Sequence, residues 1–173
     1  MKKTQLKDLI RDVPDFPKKG IIFKDITTLL NNKDGFKKAV SLLAKKFKKE
    51  NIDQVVAVES RGFIFAGALA YKLGAGFVPV RKKGKLPYKT KSVAYQLEYG
   101  TDTLEIHEDA ISPNARVLIV DDLLATGGTV GAVIDLLKQQ QVNIVGIAFL
   151  IELRFLKGKN NLKGYPVYSL IKY

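Results

Sequence analysis

The chain has 173 residues, a net charge of +12 and a hydrophobic fraction of 46%, values that suit one folded domain and exclude wholesale disorder. It contains no cysteine and one histidine, which excludes disulfides, cysteine nucleophiles and zinc sites built from thiolates or several histidines. No apolar run is long enough to span a bilayer, and the N-terminus lacks the apolar segment of a signal peptide. We therefore expect a cytoplasmic protein with no membrane partner, whose positive charge belongs either to a solvated surface or to attraction for anions.

The N-terminal part of the sequence predicts two helices with an extended segment between them. Thr4 can cap a short helix that continues to about Val13, where prolines follow and end it. Residues 21–27 are predicted to be extended. Asp34 is a suitable N-cap for the second helix, whose apolar residues recur at helical spacing as far as Phe47 and whose opposite face is rich in lysine.

From residue 54 onward, apolar strands alternate with helical patterns, which predicts a mostly parallel sheet flanked by helices and joined by right-handed crossovers. The predicted strands cover residues 54–59, 77–80, 117–120, 142–151 and 167–171, and the predicted helices cover 63–73 and 130–140. Pro79 cannot donate a ladder hydrogen bond, so it favours a sheet edge or a bulge. Because the sequence contains no repeat or linker, residues 1–173 are expected to form a single α/β domain.

Residues 81–109 form an insertion between core strands, and insertions of this length often serve as lids or binding loops. Six basic residues and no acid occur in its first part, namely Arg81, Lys82, Lys83, Lys85, Lys89 and Lys91. Strands over residues 94–99 and 103–107 are predicted to form a β-hairpin. The basic segment is either a solvated loop or an arm that gathers anions.

Two adjacent carboxylates and a glycine loop follow the strand predicted over residues 117–120. The strand is expected to end before Asp121 and Asp122, which can accept hydrogen bonds from sugar hydroxyls. The loop consists of Ala125, Thr126, Gly127, Gly128 and Thr129. Its glycines allow a close backbone approach, and the N-terminus of the next helix offers free N–H groups to a phosphate. The loop is neither a Walker A loop nor a dinucleotide fingerprint. It is either an ordinary strand-to-helix turn with a polar rim or a phosphosugar site, and the paired acids and two threonines favour the phosphosugar site.

A second polar turn, residues 59–62, follows another parallel strand and should lie at the same edge of the sheet. Its Arg61 would present a planar, permanently charged fork that suits phosphate. On the hairpin, Glu98 could stabilise positive charge at a reacting carbon or handle a proton, unless it is an ordinary exposed residue. Phe16 and Phe23 could wall a flat aromatic ligand, unless they serve only in packing.

Five groups of segments carry a family resemblance over nearly the whole chain. They are Pro14-Asp-Phe-Pro with Gly20-Ile-Ile-Phe-Lys-Asp-Ile, Glu59-Ser-Arg-Gly-Phe, Phe77-Val-Pro-Val-Arg-Lys with Gly84-Lys-Leu-Pro, Leu97-Glu-Tyr-Gly-Thr, and Val120-Asp-Asp-Leu-Leu-Ala-Thr-Gly-Gly-Thr129. In this order they resemble the adenine phosphoribosyltransferases, a group of type I phosphoribosyltransferases. The resemblance implies a type I fold: a central, mostly parallel sheet flanked by helices, with a small hood in residues 1–30 and a mobile β-hairpin lid within residues 81–109.

The resemblance also implies a reaction: adenine and 5-phospho-α-D-ribose 1-diphosphate (PRPP) give AMP and pyrophosphate, with Mg²⁺ as cofactor and a homodimer as the assembly. Glu98, Asp121 and Asp122 would act in catalysis, with the two aspartates on the ribose hydroxyls, and residues 125–129 would hold the 5′-phosphate. The pyrophosphate side would consist of Arg61, Arg81, Lys82 and Lys85, the adenine site of Ile22, Phe23, Lys24 and Leu153, and the lid would carry Tyr99.

Three finer expectations accompany that resemblance. The peptide bond between Ser60 and Arg61 is expected to be cis. Mg²⁺ would be held mainly by substrate and water, and no protein ligand is singled out. Lys24 stands where many relatives have arginine, a change that keeps the charge but loses the planar fork.

Two alternatives stay open on the sequence. One is a phosphoribosyltransferase for another base. The other is a regulator that senses PRPP while it binds nucleic acid, which the net charge of +12 slightly favours. A separate helix-turn-helix domain does not fit in 173 residues, so nucleic acid is not the partner we expect.

Overall fold

The computed structural model of the protein describes residues 3–96 and 100–173. Its N-terminal part contains α1 (Lys3–Lys7), β1 (Arg11–Pro14), β2 (Ile22–Asp25), α2 (Thr27–Asn31) and α3 (Lys33–Phe47). The remaining elements are β3 (Gln54–Val58), α4 (Arg61–Leu73), β4 (Gly76–Lys82), β5 (Thr90–Gln96), β6 (Thr101–His107), β7 (Arg116–Leu124), α5 (Gly128–Lys138), β8 (Asn143–Glu152) and β9 (Val167–Lys172). Two short 3₁₀ helices, Arg154–Leu156 and Gly158–Leu162, connect β8 to β9. None of the helices in the described part of the chain combines the length and apolar character needed to cross a membrane.

Seven strands form one sheet in the order β5-β6-β4-β3-β7-β8-β9. The strands β4, β3, β7, β8 and β9 run parallel to one another, whereas β6 pairs antiparallel with both β4 and β5. This arrangement confirms the predicted mostly parallel sheet flanked by helices. It also brings the carboxyl ends of β3 and β7, which are direct neighbours, to the same edge of the sheet.

The central strands are buried on both faces, as is typical of parallel sheets. In β7, Leu118 and Val120 pack with residues of α3 and α4, while Val117 and Ile119 pack on the opposite face with α5. All four side chains are at most 1% exposed. The uninterrupted apolar run of this strand therefore reflects helices on both sides of the sheet.

The N-terminal helix is shorter than the sequence predicted, and the prediction that it reaches Val13 is wrong. α1 ends at Lys7, and β1 pairs antiparallel with β2 so that Asp12 lies opposite Lys24. The two side chains form an ion pair, with 2.6 Å between Lys24 Nζ and Asp12 Oδ1. Strand pairing and this cross-strand contact outweigh the local helical spacing, a tertiary effect that single-sequence patterns do not contain.

Pro79 has no backbone N–H to donate, and its position in β4 suits that property. It lies opposite Ala57 of β3, whereas β6 pairs with β4 only farther along, at Arg81 and Lys82. Among the described residues, Pro79 therefore has a neighbouring strand on one side, although β4 as a whole lies between β6 and β3 and not at the edge of the sheet.

The hairpin formed by β5 and β6 extends the main sheet. β5 begins at Thr90, earlier than the predicted position 94, and pairs with β6 along its length. Leu104 and Ile106 are fully buried and pack against α5, so the base of the hairpin belongs to the core. Residues 97–99, which end the strand predicted over 94–99, lie outside the described residues.

Candidate active site

The site is built at the carboxyl edge of the sheet, where β7 extends beyond β3. Pairing between these strands stops at Ala57 and Val120, but β7 continues beside β8 as far as Leu124. The prediction that this strand ends before the two aspartates is therefore wrong. Asp121 and Asp122 lie within the strand because β8 still supplies ladder hydrogen bonds there, while β3 has already turned towards α4.

Arg61 and Asp122 connect the two sides of this edge. Arg61 is the first residue of α4, and its Nη2 lies 2.6 Å from Asp122 Oδ2. Asp122 is only 5% exposed, whereas about a third of the Arg61 side chain reaches solvent. The contact is an ion pair without an aligned hydrogen bond, since no donor among the described residues meets Asp122 Oδ2 with hydrogen-bond geometry. A cation and a carboxylate thus face the space above the sheet together.

Asp121 is enclosed between its neighbour and the start of α4. Its Oδ1 accepts a hydrogen bond of 2.9 Å from the backbone N–H of Asp122. The same oxygen lies so close to Gly62 that a Cβ at that position would be 2.8 Å away. Burial, followed by the charge of Asp122, raises the pKa of Asp121 well above its usual value. Burial also raises the pKa of Asp122, although the nearby Arg61 opposes that rise.

The turn between β3 and α4 contains a cis peptide bond, but one bond earlier than expected. The cis bond joins Glu59 to Ser60, so the prediction of a cis bond between Ser60 and Arg61 is wrong. Ser60 is the N-cap of α4, and its carbonyl accepts a hydrogen bond of 3.2 Å from the N–H of Phe63. The bond between Ser60 and Arg61 is thus part of the regular helix entry.

The glycine loop leads directly into α5, as the sequence predicted. Gly127 is the N-cap and has a φ of +86°, a left-handed conformation that favours glycine. A small cavity of about 70 Å³ is lined by the whole loop from Ala125 to Thr129 and by Asp121. The free N–H groups of the first turn of α5 and a carboxylate of β7 therefore border the same space.

The three basic residues of the arm that were assigned to pyrophosphate differ in their contacts. Arg81 donates to Glu59 Oε2 through Nε at 3.3 Å and Nη2 at 2.9 Å, and to the carbonyl of Lys85 through Nη1 at 3.1 Å. Lys82 Nζ lies 2.9 Å from Asp102 Oδ2. Lys85 is exposed, and its amine forms no ion pair within the described parts of the chain. Two of these three cations thus already have carboxylate partners.

Glu59 orders the start of the basic arm. Its Oε1 accepts the backbone N–H of Lys82 at 2.7 Å, and its Oε2 accepts the two bonds from Arg81. Burial raises the pKa of Glu59, but the hydrogen bonds from Lys82 and Arg81 outweigh it, so the pKa lies below its usual value. The glutamate is therefore a charged anchor that joins the turn after β3 to the end of β4.

The residues assigned to adenine are only partly brought together. Phe23 lies beneath Arg61, with the guanidinium carbon 4.9 Å from the ring centroid, and Ile22 beside it is 55% exposed. The amine of Lys24 instead contacts Asp12 and lies 4.1 Å from the ring centroid of Tyr173. The backbone N–H of Leu153 donates a hydrogen bond to the carbonyl of Leu124, at the entrance to the glycine loop. The aromatic ring and the open side of β2 therefore border the site, while the lysine amine points into the junction with the C-terminus.

The sequence analysis did not identify some residues that lie near the site. Tyr95 on β5 lies beside Thr129 of the glycine loop and opposite Asp102 in the hairpin. Period-two alternation along the two strands could have placed Tyr95 and Asp102 as a cross-strand pair. Asn161, whose side-chain amide donates to the carbonyl of Thr126 at 2.8 Å, carries no comparable signal in the sequence.

Two of the assigned residues, Glu98 and Tyr99, lie outside the described residues.

Within the described ranges, no group of three His, Asp or Glu side chains is arranged to hold a metal ion. The adjacent carboxylates of Asp121 and Asp122 supply the hard oxygen atoms that Mg²⁺ prefers, and they fit an ion that takes its other ligands from substrate and water.

Comparisons with known proteins agree on one family. The family model of the phosphoribosyl transferase domain matches residues 25–169. The adenine phosphoribosyltransferase of Brachyspira hyodysenteriae is 59% identical over 169 residues, which cover 98% of this chain and 99% of that protein.

Solved structures show the same likeness in three dimensions. The crystal structure of adenine phosphoribosyltransferase from Thermoanaerobacter pseudethanolicus superimposes with a TM-score of 0.97 at 52% identity, covering 99% of this chain and 100% of that one. The Saccharomyces cerevisiae enzyme, complexed with D-2,5-dideoxy-2,5-imino-altritol 1,6-bisphosphate and adenine, gives a TM-score of 0.92 at 41% identity, covering 97% of each chain.

Proposed function

This chain belongs to the phosphoribosyltransferase family, among the adenine phosphoribosyltransferases, and from that membership we propose how its site transfers the phosphoribosyl group of PRPP to adenine. The products are AMP and pyrophosphate, a reaction of purine salvage. The observation that carries the assignment to this site is the cavity that Asp121 shares with the glycine loop, because it sets a carboxylate for a sugar beside N–H groups for a phosphate.

The 5′-phosphate binds to residues 125–129. The left-handed Gly127 turns the chain into α5, so successive N–H groups converge on one small space. The partial positive charge at the N-terminus of this eleven-residue helix favours the phosphate further. This geometry supports Ala125, Thr126, Gly127, Gly128 and Thr129 as the phosphate loop.

Asp121 and Asp122 bind the ribose hydroxyls beside that phosphate. Their raised pKa values reflect the burial of two neighbouring carboxylates, which favours polar partners that can donate hydrogen bonds. Ribose hydroxyls are such donors. They would satisfy the buried Asp122 Oδ2, which lacks an aligned donor among the described residues.

The pyrophosphate of PRPP binds to Arg61, Arg81, Lys82 and Lys85. Arg61 forms an ion pair with Asp122, and Lys82 forms one with Asp102. Pyrophosphate therefore binds to cations that already have carboxylate partners, and it either displaces these carboxylates or binds beside them. The ion pairs keep the cations oriented before substrate binds, but the carboxylates then compete with pyrophosphate for these cations.

Adenine binds against β2 and the end of β8, with Ile22, Phe23, Lys24 and Leu153 as the lining. The aromatic ring of Phe23 suits a flat base, and Arg61, whose guanidinium lies over one face of that ring, is also assigned to pyrophosphate. Lys24 contributes through its position in β2, since its amine is held by Asp12.

The reaction breaks the bond between C1 of ribose and the pyrophosphate oxygen and forms a bond from C1 to a ring nitrogen of adenine. Positive charge develops at C1, so the site must stabilise the leaving group and exclude water, which would compete for the same carbon. Glu98 stabilises that charge or handles the proton of the base, and Tyr99 closes the lid of residues 81–109. Bound Mg²⁺ would neutralise the departing pyrophosphate, with Asp121 and Asp122 nearby and most ligands from substrate and water.

A homodimer in the cytoplasm completes the proposal, with residues 1–173 as one domain and residues 1–30 as its hood. Large exposed apolar side chains support self-association: Tyr71 is 92% exposed, and Ile64 on the same helix and Phe77 on β4 are also exposed. Gel filtration of the purified protein tests this point, and a monomer at micromolar concentration would contradict it.

The direct test of the function is the formation of AMP from adenine and PRPP, with and without Mg²⁺. We expect equal amounts of AMP and pyrophosphate, and loss of both when the metal is chelated. Parallel reactions with hypoxanthine and other bases test the choice of base. Turnover of hypoxanthine with none of adenine would reject the proposal.

A further inference from the structure

The 3₁₀ helix Gly158–Leu162 lies directly behind the phosphate loop. Gly158 and Gly127 are in backbone contact, since a Cβ on Gly127 would lie 2.6 Å from the carbonyl oxygen of Gly158. A Cβ on Gly158 would in turn collide with the carbonyl of Ala125. Two glycines thus allow the helix and the loop to touch without intervening side chains.

Asn161 adds a directed contact to this packing. Its Nδ2 donates a hydrogen bond of 2.8 Å to the carbonyl oxygen of Thr126, and its Cβ lies 3.5 Å from where a Cβ on Gly127 would be. In a trans peptide the carbonyl and the following N–H point in opposite directions. Holding the Thr126 carbonyl towards Asn161 therefore turns the N–H of Gly127 the other way, away from the 3₁₀ helix.

The 3₁₀ helix is itself fixed to the sheet. Leu162 is 1% exposed and packs in the same hydrophobic cluster as α5. Lys159 Nζ lies 3.3 Å from Glu152 Oε2, and Glu152, at the end of β8, is 7% exposed. Because β8 is the neighbour of β7, the support behind the loop is attached to the strand that pairs with the one carrying the aspartates.

We propose that Asn161 is a positioning residue for the 5′-phosphate of PRPP and AMP, an assignment that rests on the proposed function. It acts through Thr126: the hydrogen bond fixes one peptide plane so that the loop presents its N–H groups to the phosphate. The contribution is specific to the phosphate end of the substrate, because Asn161 contacts the loop and not the residues assigned to adenine. It should therefore affect the KM for PRPP separately from the KM for adenine.

The test compares Asn161→Ala with Asn160→Ala in the full-length enzyme. Asn160 is the adjacent residue of the same type in the same 3₁₀ helix, is also exposed, and has no side-chain hydrogen bond to the described parts of the chain. Removing one hydrogen bond should raise the KM for PRPP roughly three- to tenfold in Asn161→Ala, with the KM for adenine unchanged. Asn160→Ala should behave like wild type.

A second variant and a binding measurement make the result independent of turnover. Asn161→Asp keeps the shape but replaces the donor with a carboxylate, so it should weaken PRPP at least as much as Asn161→Ala. Titration with ribose 5-phosphate should give the same loss of affinity in both variants as the KM for PRPP. Equal binding of ribose 5-phosphate by wild type and Asn161→Ala overturns the proposal, as does an equal rise of both KM values. If wild type forms no AMP yet binds ribose 5-phosphate more tightly than Asn161→Ala, the proposed function fails and the positioning role stands.

Discussion

Arg61 and Asp122 lie 2.6 Å apart and join the start of α4 to the end of β7. The two residues were assigned to different parts of the substrate, the arginine to pyrophosphate and the aspartate to ribose. Their contact means that neither can be changed without altering the charge balance of the other. In the folded protein each serves as the other's counter-ion until substrate binds.

Replacing Asp122 by asparagine tests this pair. The amide keeps the size of the side chain but loses the negative charge that orients Arg61 and accepts hydrogen bonds from ribose. We expect kcat/KM for PRPP to fall roughly 10- to 100-fold, the effect of losing a hydrogen bond to a charged group, while the fold stays intact. Steady-state kinetics and thermal unfolding measure the two effects. Asp135→Asn on the exposed face of α5 is the control, and near-normal kinetics for Asp122→Asn would refute the assignment.

The sequence predicted that two polar turns face each other, because this follows from strand direction alone. Residues 55–58 and 117–120 are apolar runs joined through helices, and parallel neighbours must end at the same edge. The distance between Arg61 and Asp122 did not follow from that logic. It depends on how far β7 continues past β3, which is set by pairing with β8.

Other parts of the site could not be predicted because they depend on contacts between distant segments. The N-terminal strand β1 forms only through its pairing with β2, and Asn161 is important only because the chain returns behind residues 125–127. Local patterns carry no information on such returns. Motifs that contain all their parts within ten residues, such as residues 120–129, are the ones that sequence analysis located.

Two glycines of α4 should respond in opposite ways to alanine. A Cβ at Gly62 would lie 2.8 Å from Asp121 Oδ1 and 3.4 Å from the carbonyl of Val120, so the carboxylate must move. We expect Gly62→Ala to lose about 1–3 kcal/mol of unfolding free energy and to reduce turnover. Gly67, exposed on the same helix, has no atom of its own chain within 4 Å of its Cβ position, and Gly67→Ala should gain about 0.5–1 kcal/mol in the unfolding of the single chain. Denaturant unfolding of both variants checks the signs, and a stabilised, fully active Gly62→Ala would contradict the close contact.

The pKa of Asp121 predicts how stability depends on pH. Burial, followed by the charge of Asp122, raises this pKa, so between the unfolded and folded pKa values the folded state binds more protons. The free energy of unfolding contributed by Asp121 therefore falls as pH rises through that window. Asp121→Asn removes this titration. We expect it to be more stable than wild type at neutral pH, with the difference disappearing towards pH values of about 4, and to be less active.

Asp25 provides the comparison with the opposite sign. The hydrogen bond from the backbone N–H of Thr27, followed by that from its hydroxyl, lowers the pKa of Asp25. Its contribution to stability is present above the unfolded pKa and is lost as pH falls through the lower folded pKa. Asp25→Ala should thus be less stable than wild type at neutral pH, and the two should converge in acid. Melting temperatures of the three proteins from about pH 2 to pH 8 decide the matter, because the Asp25 contribution is lost only below its unfolded pKa. A shift of the same sign in both variants at neutral pH would contradict the assignment.

Variants of Lys24 test whether this residue contributes to adenine binding by holding β2 in position. Its amine is held by Asp12 Oδ1 at 2.6 Å and by the ring of Tyr173 at 4.1 Å, and the residue is 9% exposed. Lys24→Met breaks the tie that fixes β2, so we expect a several-fold rise in the KM for adenine, an unchanged KM for PRPP and a lower melting temperature. Lys24→Arg retains the charge, so it should stay close to wild type. Asp12→Asn breaks the same ion pair but keeps the lysine and its contact with the Tyr173 ring, so it should lower the melting temperature with a smaller effect on adenine. Equal KM values for adenine in Lys24→Met and wild type would remove Lys24 from the base site and leave it a purely structural tether.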